Sequence, residues 1–202
     1  RHLVYRDLTP VQRRRYRAMS RQAGVVLAVS DAVRRACIDV EGLAPQRVRT
    51  QVNGIDLERY RPLTPAAVAA KRAELGLCEG EPACLFVGRL SEQKAPDAFV
   101  RLVWSLRRRG VPARGFVCGG GGLADGLRAM IGAGEPGVEL LGFRSDVPAL
   151  LSACDLFVST SRNEGLPLNV MEAMSAGAAV AAPDLDQIRC LFPPQDIAAS
   201  GL

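Results

Sequence analysis

The chain has 202 residues, 48% of them hydrophobic and 23% charged, which suits a domain with a sizeable core and excludes disorder as the default. No run of about eighteen uncharged apolar residues occurs, so a transmembrane helix is excluded, and the opening Arg1-His2-Leu3 is not a secretory signal. A formal net charge of +5 favours anionic partners, while aromatics at 5% without basic-aromatic interleaving argue against single-stranded nucleic acid.

In chain order, the segment before Gly24 is polar, arginine-rich and helical in pattern, a leading arm rather than a domain. Val25–Val29 reads as a strand and Asp31–Val40 as a helix, with Ser30 as its N-cap. Val48–Val52 is a second strand, ending in Asn53-Gly54, and a helix over Pro65–Leu75 is closed by Gly76. Ala83–Val87 is a strand, followed by the loop Gly88–Lys94. The next helix, Pro96–Arg109, carries Phe99, Leu102, Val103 and Leu106 at helical spacing. Gly115–Cys118, Val138–Leu141, Leu156–Thr160 and Ala178–Ala182 read as strands. Helices over Leu123–Ile131, Asp146–Cys154 and Leu168–Ala176 alternate with them, the last opened by Pro167. This alternation implies parallel pairing with right-handed crossovers. The expected fold is a doubly wound, mainly parallel, Rossmann-like α/β sheet over residues 24–202, with residues 1–23 as the arm. A start without Met suggests the middle of a longer protein.

Six cysteines (Cys37, Cys78, Cys84, Cys118, Cys154 and Cys190) form no C-x-x-C pair and mostly lie in apolar runs. Reduced core thiols in a cytoplasmic protein are expected. The only histidine is His2 and the ligand spacing does not suit zinc, so no metal site is expected.

Open parallel sheets bind ligands beyond the carboxyl ends of their strands. Four loops there carry unusual residues: Asn53-Gly54-Ile55-Asp56, Gly88 to Lys94, Gly119-Gly120-Gly121-Gly122, and Arg162 to Pro167. In the second, Gly88 permits a sharp turn after a buried strand. Arg89 and Lys94 then set two cations beside a helix N-terminus, a combination suited to a diphosphate. In the fourth, Glu164 precedes a helix and Glu172 falls in its second turn. Eight residues on a helix advance about 80° beyond two full turns, so both carboxylates can serve one cleft as acceptors for sugar and ribose hydroxyls. Leu166 is a poor N-cap, leaving the amides of Leu168 and Asn169 without a local side-chain partner. The glycine run allows close backbone approach to a phosphate but does not fit G-x-G-x-x-G, and no G-x-x-x-x-G-K-[ST] occurs. Nicotinamide-dependent Rossmann enzymes and P-loop ATPases are therefore disfavoured.

Together these residues resemble the C-terminal domain of the retaining, two-Rossmann-domain (GT-B) glycosyltransferases of the group one, family-four type. Val52-Asn53-Gly54-Ile55-Asp56 is similar to that family's "PNGID" turn, and Phe86-Val87-Gly88-Arg89-Leu90 with Lys94 and Asp97 to its "FVGRL…K-G-x-D" segment. Cys118-Gly119-Gly120-Gly121 stands at its "G-x-G", and Leu141-Gly142-Phe143 with Asp146-Val147 at its "LG…D-V". Ala153 to Val158, Ser161, Glu164-Gly165-Leu166-Pro167 and Glu172-Ala173-Met174 are similar to its "ADVFV-PS-EGFG…EAMA". The resemblance implies that Arg89 and Lys94 hold the diphosphate of a nucleotide sugar, Glu172 binds the ribose and Glu164 faces the donor sugar. Gly88, Gly165, Leu168 and Asn169 complete the donor-binding set. It also implies no metal or other cofactor, retention by same-face attack, and a saccharide or lipid-linked acceptor bound by an N-terminal domain absent from this chain; the thiols point to a cytoplasmic place, and the positive charge to peripheral contact at the inner membrane face.

The sequence departs from the family at Ala95, where a Gly usual after the lysine would give the backbone more freedom. It departs again at Asp184-Leu185-Asp186 and at Cys190, in the loop after the last strand. Two other readings stand beside the transferase: a GT-B sugar-nucleotide epimerase or phosphorylase-like enzyme, and a non-catalytic doubly wound interaction module.

Overall fold

The computed structural model describes residues 9–192; the first residues, including His2, and those after Phe192 lie outside it. Within this range the chain forms two compact units. The first takes residues 9–54, 163–168 and 184–192, and the second residues 55–162 and 169–183.

The first unit opens with helix α1, Pro10–Gln22. Thr9 and Gln12 close its N-terminus reciprocally: the Thr9 hydroxyl accepts the Gln12 amide, and the Gln12 side chain accepts the Thr9 amide at 2.9 Å. Strand β1, Val26–Ala28, leads through α2, Asp31–Asp39, to β2, Val48–Thr50. The Ser30 hydroxyl caps α2 by accepting the Val33 amide at 3.2 Å. β1 and β2 pair in parallel as a two-stranded sheet of their own. Alternation of strands and helices predicts parallel pairing, but it does not predict which strands share a sheet. The core of this unit is Ala28, Val29, Val33, Cys37, Leu43 and Val48, with Leu166 packed against it. A short helix, Asp186–Arg189, belongs to the same unit.

The second unit begins with α3, Pro65–Glu74, and β3, Ala83–Val87. Then follow α4 (Pro96–Arg108), β4 (Arg114–Cys118), α5 (Ala124–Ala133), β5 (Val138–Gly142), α6 (Val147–Ala153), β6 (Leu156–Val158), α7 (Leu168–Ser175) and β7 (Ala179–Ala181). Five strands form one wholly parallel sheet in the order β5-β4-β3-β6-β7. The chain winds outward from β3 to β5, then returns to the other side of β3 and winds outward again. The order reverses between β3 and β6, and a crevice opens beyond the carboxyl ends of strands at such a reversal.

β3 is apolar throughout and its first four residues are buried, as a central parallel strand covered on both faces should be. α4 lies over β3 and β4 with Pro96, Phe99, Val100 and Val103 buried. At about 100° per residue these four fall within one face, which leaves Leu102 on its outer margin. Leu102, read from the sequence as part of the stripe, is accordingly exposed, and Leu106 is only partly buried. α4 approaches β4 at Gly115, where an added Cβ would lie 2.7 Å from Val103 Cγ2.

Two acidic residues from the family-like motifs hold the frame. Asp155 accepts the Ala83 amide at 2.8 Å and the Arg72 guanidinium at 3.1 Å, fixing the entry to β3. Asp146 accepts from Lys71 at 2.8 Å and twice from Arg144, which also reaches Glu74 at 2.9 Å. This four-charge network joins α3 to the start of α6. Hydrogen bonds from Arg144 and then Lys71 hold the Asp146 carboxyl well below the usual carboxylate range. A depressed folded pKa adds stability that is complete above the ordinary value of about 4 and is lost as pH falls toward the folded value. Asp146→Ala is expected to lower unfolding free energy by about 1–3 kcal/mol at pH 7. In urea titrations the difference from the parent should shrink steadily below about pH 4, where an unpaired Asp protonates; a pH-independent difference would count against the network.

Cys37, Cys84, Cys118 and Cys154 are buried, whereas Cys78 and Cys190 are exposed. Burial pushes Cys84 up to about 11 and Cys154 up to about 12. Alkylation at pH 8 should label Cys78 first and reach the four buried thiols only on unfolding, as peptide mass mapping would report.

Candidate functional site

The loop Gly88 to Ala95 leaves the carboxyl end of β3 at the point of strand reversal. Arg89 is exposed and Lys94 half-buried. The loop closes on itself where the Lys94 and Ala95 amides both donate to the Ser91 carbonyl, each at 3.0 Å. Ala95 stands at φ 45°, ψ 56°, the only non-glycine residue with positive φ among the described residues. The turn that a glycine usually makes is therefore kept with alanine. α4 begins immediately afterwards, and Ala95 at its N-cap supplies no side-chain acceptor to its first turn.

The segment after β6 is fastened to this loop from the other side of the reversal. The Thr160 hydroxyl is 2.9 Å from both the Lys94 and Ala95 carbonyls, and the Arg162 amide donates to the Gln93 carbonyl at 2.8 Å. Asn169, in the first turn of α7, donates from Nδ2 to the Val87 carbonyl at 2.9 Å, while its Oδ1 accepts the Val170 amide. The start of α7 is thus tied to the last residue of β3. Glu172, one turn further along α7, is half-buried. Burial, and then the charge of the Glu172 carboxylate, push the Tyr60 phenol above its ordinary pKa.

Of the residues singled out from the sequence, Gly88, Arg89, Lys94, Asn169 and Glu172 belong to the second unit, at the carboxyl ends of β3 and β6. Glu164, Gly165 and Leu168 fall in the first. Glu164 and Gly165 are buried there, Glu164 with only 3% of its surface exposed. The Leu168 amide already donates to the Leu166 carbonyl at 3.0 Å, because the chain turns tightly through Pro167. The absence of a side-chain cap therefore does not leave that amide free.

A model of the family described as "Glycosyl transferases group 1" matches residues 81–199. The chain belongs to the group 1 glycosyltransferases. It is 37% identical over 163 residues to the D-inositol 3-phosphate glycosyltransferase of Nocardia farcinica, covering 75% of this chain and 35% of that protein. It is 34% identical over 177 residues to the alpha-maltose-1-phosphate synthase of Mycobacterium tuberculosis, covering 82% and 45%. The chain thus spans less than half the length of both relatives. Among solved structures, Anabaena HepE in complex with UDP-glucose superposes with a TM-score of 0.81 at 26% identity, over 92% of this chain and 52% of that one. The Rossmann-like GT-B fold expected from the sequence is the fold found.

In this chain the four glycines after β4 serve a purpose that the sequence does not disclose. The Leu90 amide donates to the Gly120 carbonyl at 2.9 Å, and the Leu123 amide donates to the Leu90 carbonyl at 3.1 Å. A Cβ on Gly119 would overlap the Gly88 carbonyl oxygen, and one on Gly121 would overlap that of Leu90. The close backbone approach is thus to the Gly88–Leu90 loop itself. Thr160 and the Asn169 side chain also escape sequence reasoning. Each is an ordinary polar residue near an element end, and only its distant partner marks it.

Gly119→Ala and Gly121→Ala should each cost more than about 2 kcal/mol, and Gly120→Ala less than about 1 kcal/mol. Nothing lies within 4 Å of an added Cβ at Gly120. Equal tolerance of all three in thermal unfolding would show that the two loops do not touch as described.

Proposed function

We propose that this chain is the donor-binding part of a glycosyltransferase that uses a nucleoside-diphosphate sugar, with UDP as the nucleotide. The reading is carried by one observation: the Gly88–Ala95 loop, with Arg89 and Lys94, is fastened to the β6–α7 segment through Thr160, Arg162 and Asn169. Two cations and the helix bearing Glu172 thereby occupy the same end of the sheet, beside the strand reversal. The UDP-glucose complex of HepE supports the choice of nucleotide.

Under this proposal Arg89 and Lys94 hold the diphosphate, aided by the N-terminus of α4, and Glu172 accepts the ribose hydroxyls. Gly88 lets the loop turn toward the phosphates; for Glu164 a role toward the donor sugar follows from the family resemblance alone. By the family resemblance Gly165, Leu168 and Asn169 belong to the donor-binding set as well. When the bond from the anomeric carbon to the diphosphate oxygen breaks, negative charge grows on the departing diphosphate. Fixed cations stabilise it there without solvent reorganisation. The acceptor hydroxyl attacks from the face that the diphosphate leaves, so configuration is retained. Arg89 and Lys94 provide the neutralisation for which other transferases use a metal ion. The acceptor, a saccharide or lipid-linked saccharide, is held by a further domain, and this chain alone transfers nothing.

Thermal unfolding with millimolar UDP, GDP and ADP tests the donor assignment, since a ligand at 100 times its Kd adds about 2.7 kcal/mol. Stabilisation by UDP is expected, with affinity lowered about 10- to 100-fold in Arg89→Ala and Lys94→Ala, the loss expected for a charged hydrogen bond. No response to any of the three nucleotides would favour a non-catalytic module. Robust glycosyl transfer by this chain alone would refute the need for another domain.

A further inference from the structure

The arginines of α1 have no part in the donor site. The helix carries five of them and no acidic residue, and the formal net charge of the whole chain is +5. The rest of the chain is therefore balanced, and the excess positive charge stands on one helix. Buried Ser20 and half-buried Tyr16, one turn apart, mark the face of α1 that packs inward. At about 100° per residue, Arg17, Arg21 and Arg14 fall within about 60° of one another on one flank. Ala18 and Val11 come next, nearly opposite Ser20, and Arg15 and Met19 lie beyond them. All of these outward residues are exposed, Val11 with 77% and Met19 with 57% of its surface. The outward face is thus an apolar ridge with cations on both sides. Arg17 Nε donates to the carbonyl of buried Glu41 at 2.8 Å, which fixes the flank against the first unit. Arg47 donates to the Arg21 carbonyl at 3.0 Å and brings a further exposed cation to the carboxyl end of the helix, where its dipole favours one. A concavity along the flank, lined by Arg14, Arg17, Ala18 and Arg21, meets a second at Arg21, lined also by Leu43, Ala44 and Arg47. Among the described residues Arg14, Arg15 and Arg21 have no ion-pair partner.

We propose that α1 lies flat on an anionic phospholipid surface. Arg14, Arg17 and Arg21 on one side and Arg15 on the other meet headgroup phosphates, while Val11 and Ala18 settle among the headgroups. A guanidinium presents its donors as a planar fork that matches a phosphate, and its long stem lets it reach past an apolar ridge. Cations flanking exposed apolar side chains on one helix face are what a bilayer interface accepts, because it offers phosphates and hydrocarbon at adjacent depths. The contact is with the surface only: the helix is about 20 Å long, and none among the described residues is long and apolar enough to cross a membrane. A single-stranded nucleic acid would call for aromatic faces on which to stack, and the one aromatic residue of α1, Tyr16, is half-buried.

Flotation of the chain with phosphatidylcholine vesicles, with and without about one third phosphatidylglycerol, tests this. The chain should float with the anionic vesicles only, and less as salt rises. Arg14→Gln combined with Arg21→Gln should lower the partition about 30-fold, at roughly 5-fold per arginine. Both side chains are exposed and unpaired, so thermal unfolding of this variant should match the parent. Arg101→Gln combined with Arg128→Gln removes the same charge from α4 and α5, where the two side chains are 65% and 66% exposed. That pair should change the partition less than about 2-fold, because charges farther than a Debye length from the surface are screened. Val11→Ser alters no charge and should still weaken binding roughly 3-fold through lost apolar contact. Equal losses from the two arginine pairs would mean that net charge alone acts, and no loss from the α1 pair would mean that α1 does not touch the lipid; either overturns the proposal. Flotation with uncharged vesicles, or release of the chain by millimolar glycerol phosphate, overturns it too, the latter in favour of a site for free phosphate. Tighter binding to a DNA duplex than to anionic vesicles, indifferent to Val11→Ser, would assign the helix to nucleic acid instead.

Discussion

The carbonyl oxygens of Gly88 and Leu90 occupy the space in which a Cβ on Gly119 or Gly121 would have to lie. This contact between two stretches of backbone sets the position of the loop after β3. It forms because β3 and β4 are hydrogen-bonded neighbours whose exits continue to pair beyond the strands, through Gly88 to Cys118 and Leu90 to Gly120. The sheet ladder is thereby prolonged into the loops, and only residues without side chains permit it. Arg89 sits between the two buttressed positions. Its backbone is braced by a neighbouring strand rather than left as a free surface loop, while its side chain remains exposed.

The opposite side of the reversal is fastened by different chemistry. Thr160 and Asn169 act through side chains on the carbonyls of Lys94, Ala95 and Val87. The Val87 carbonyl stands at the end of a parallel strand and receives the Asn169 amide, while the Thr160 hydroxyl lies against the two carbonyls at the entry to α4. α7 is thereby registered against β3, which carries Glu172 to the end of the sheet where Arg89 and Lys94 emerge. The loop after β3 and the segment from β6 to α7 are joined by the side chains of Thr160 and Asn169 and the amide of Arg162. Residues of ordinary polar appearance do this assembling, while the charged residues are the ones that carry the family-like motifs.

That division explains what was legible in the sequence. Ala83–Val87 shows as a strand because central parallel strands are apolar throughout, and Ser30 shows as a cap because its hydroxyl acts three residues away. The Arg89–Lys94 and Glu164–Glu172 patterns stand out because charged residues beside a buried strand are unusual. Local periodicity carried no information on which strands share a sheet, so the separate pairing of β1 with β2 was hidden. The stripe on α4 was read one residue off at Leu102, since an apolar residue at the margin of a helical face satisfies the same spacing. Asp146 and Asp155, which fall in family-like motifs, hold α3, α6 and β3 in place. A motif records which residues are needed, and the need can be structural.

Ala95 shows the same logic under strain. A left-handed alanine costs roughly 1–2 kcal/mol more than a right-handed one, and a shift of the loop would be the simplest relief. The loop does not shift because every alternative breaks something. The Ala95 amide is spent on the Ser91 carbonyl, its carbonyl lies against the Thr160 hydroxyl, and its methyl is buried with 4% exposed. Rotating the backbone out of φ 45° would release all three and would also swing Pro96, the first residue of α4, out of the core. The residue before it is Lys94, whose carbonyl faces the same Thr160 hydroxyl. These contacts together hold the backbone of Lys94 and Ala95 in place against the local preference of alanine. Under the proposed role of Lys94, which would meet charge that appears only as a bond breaks, a fixed backbone is worth more than an unstrained one.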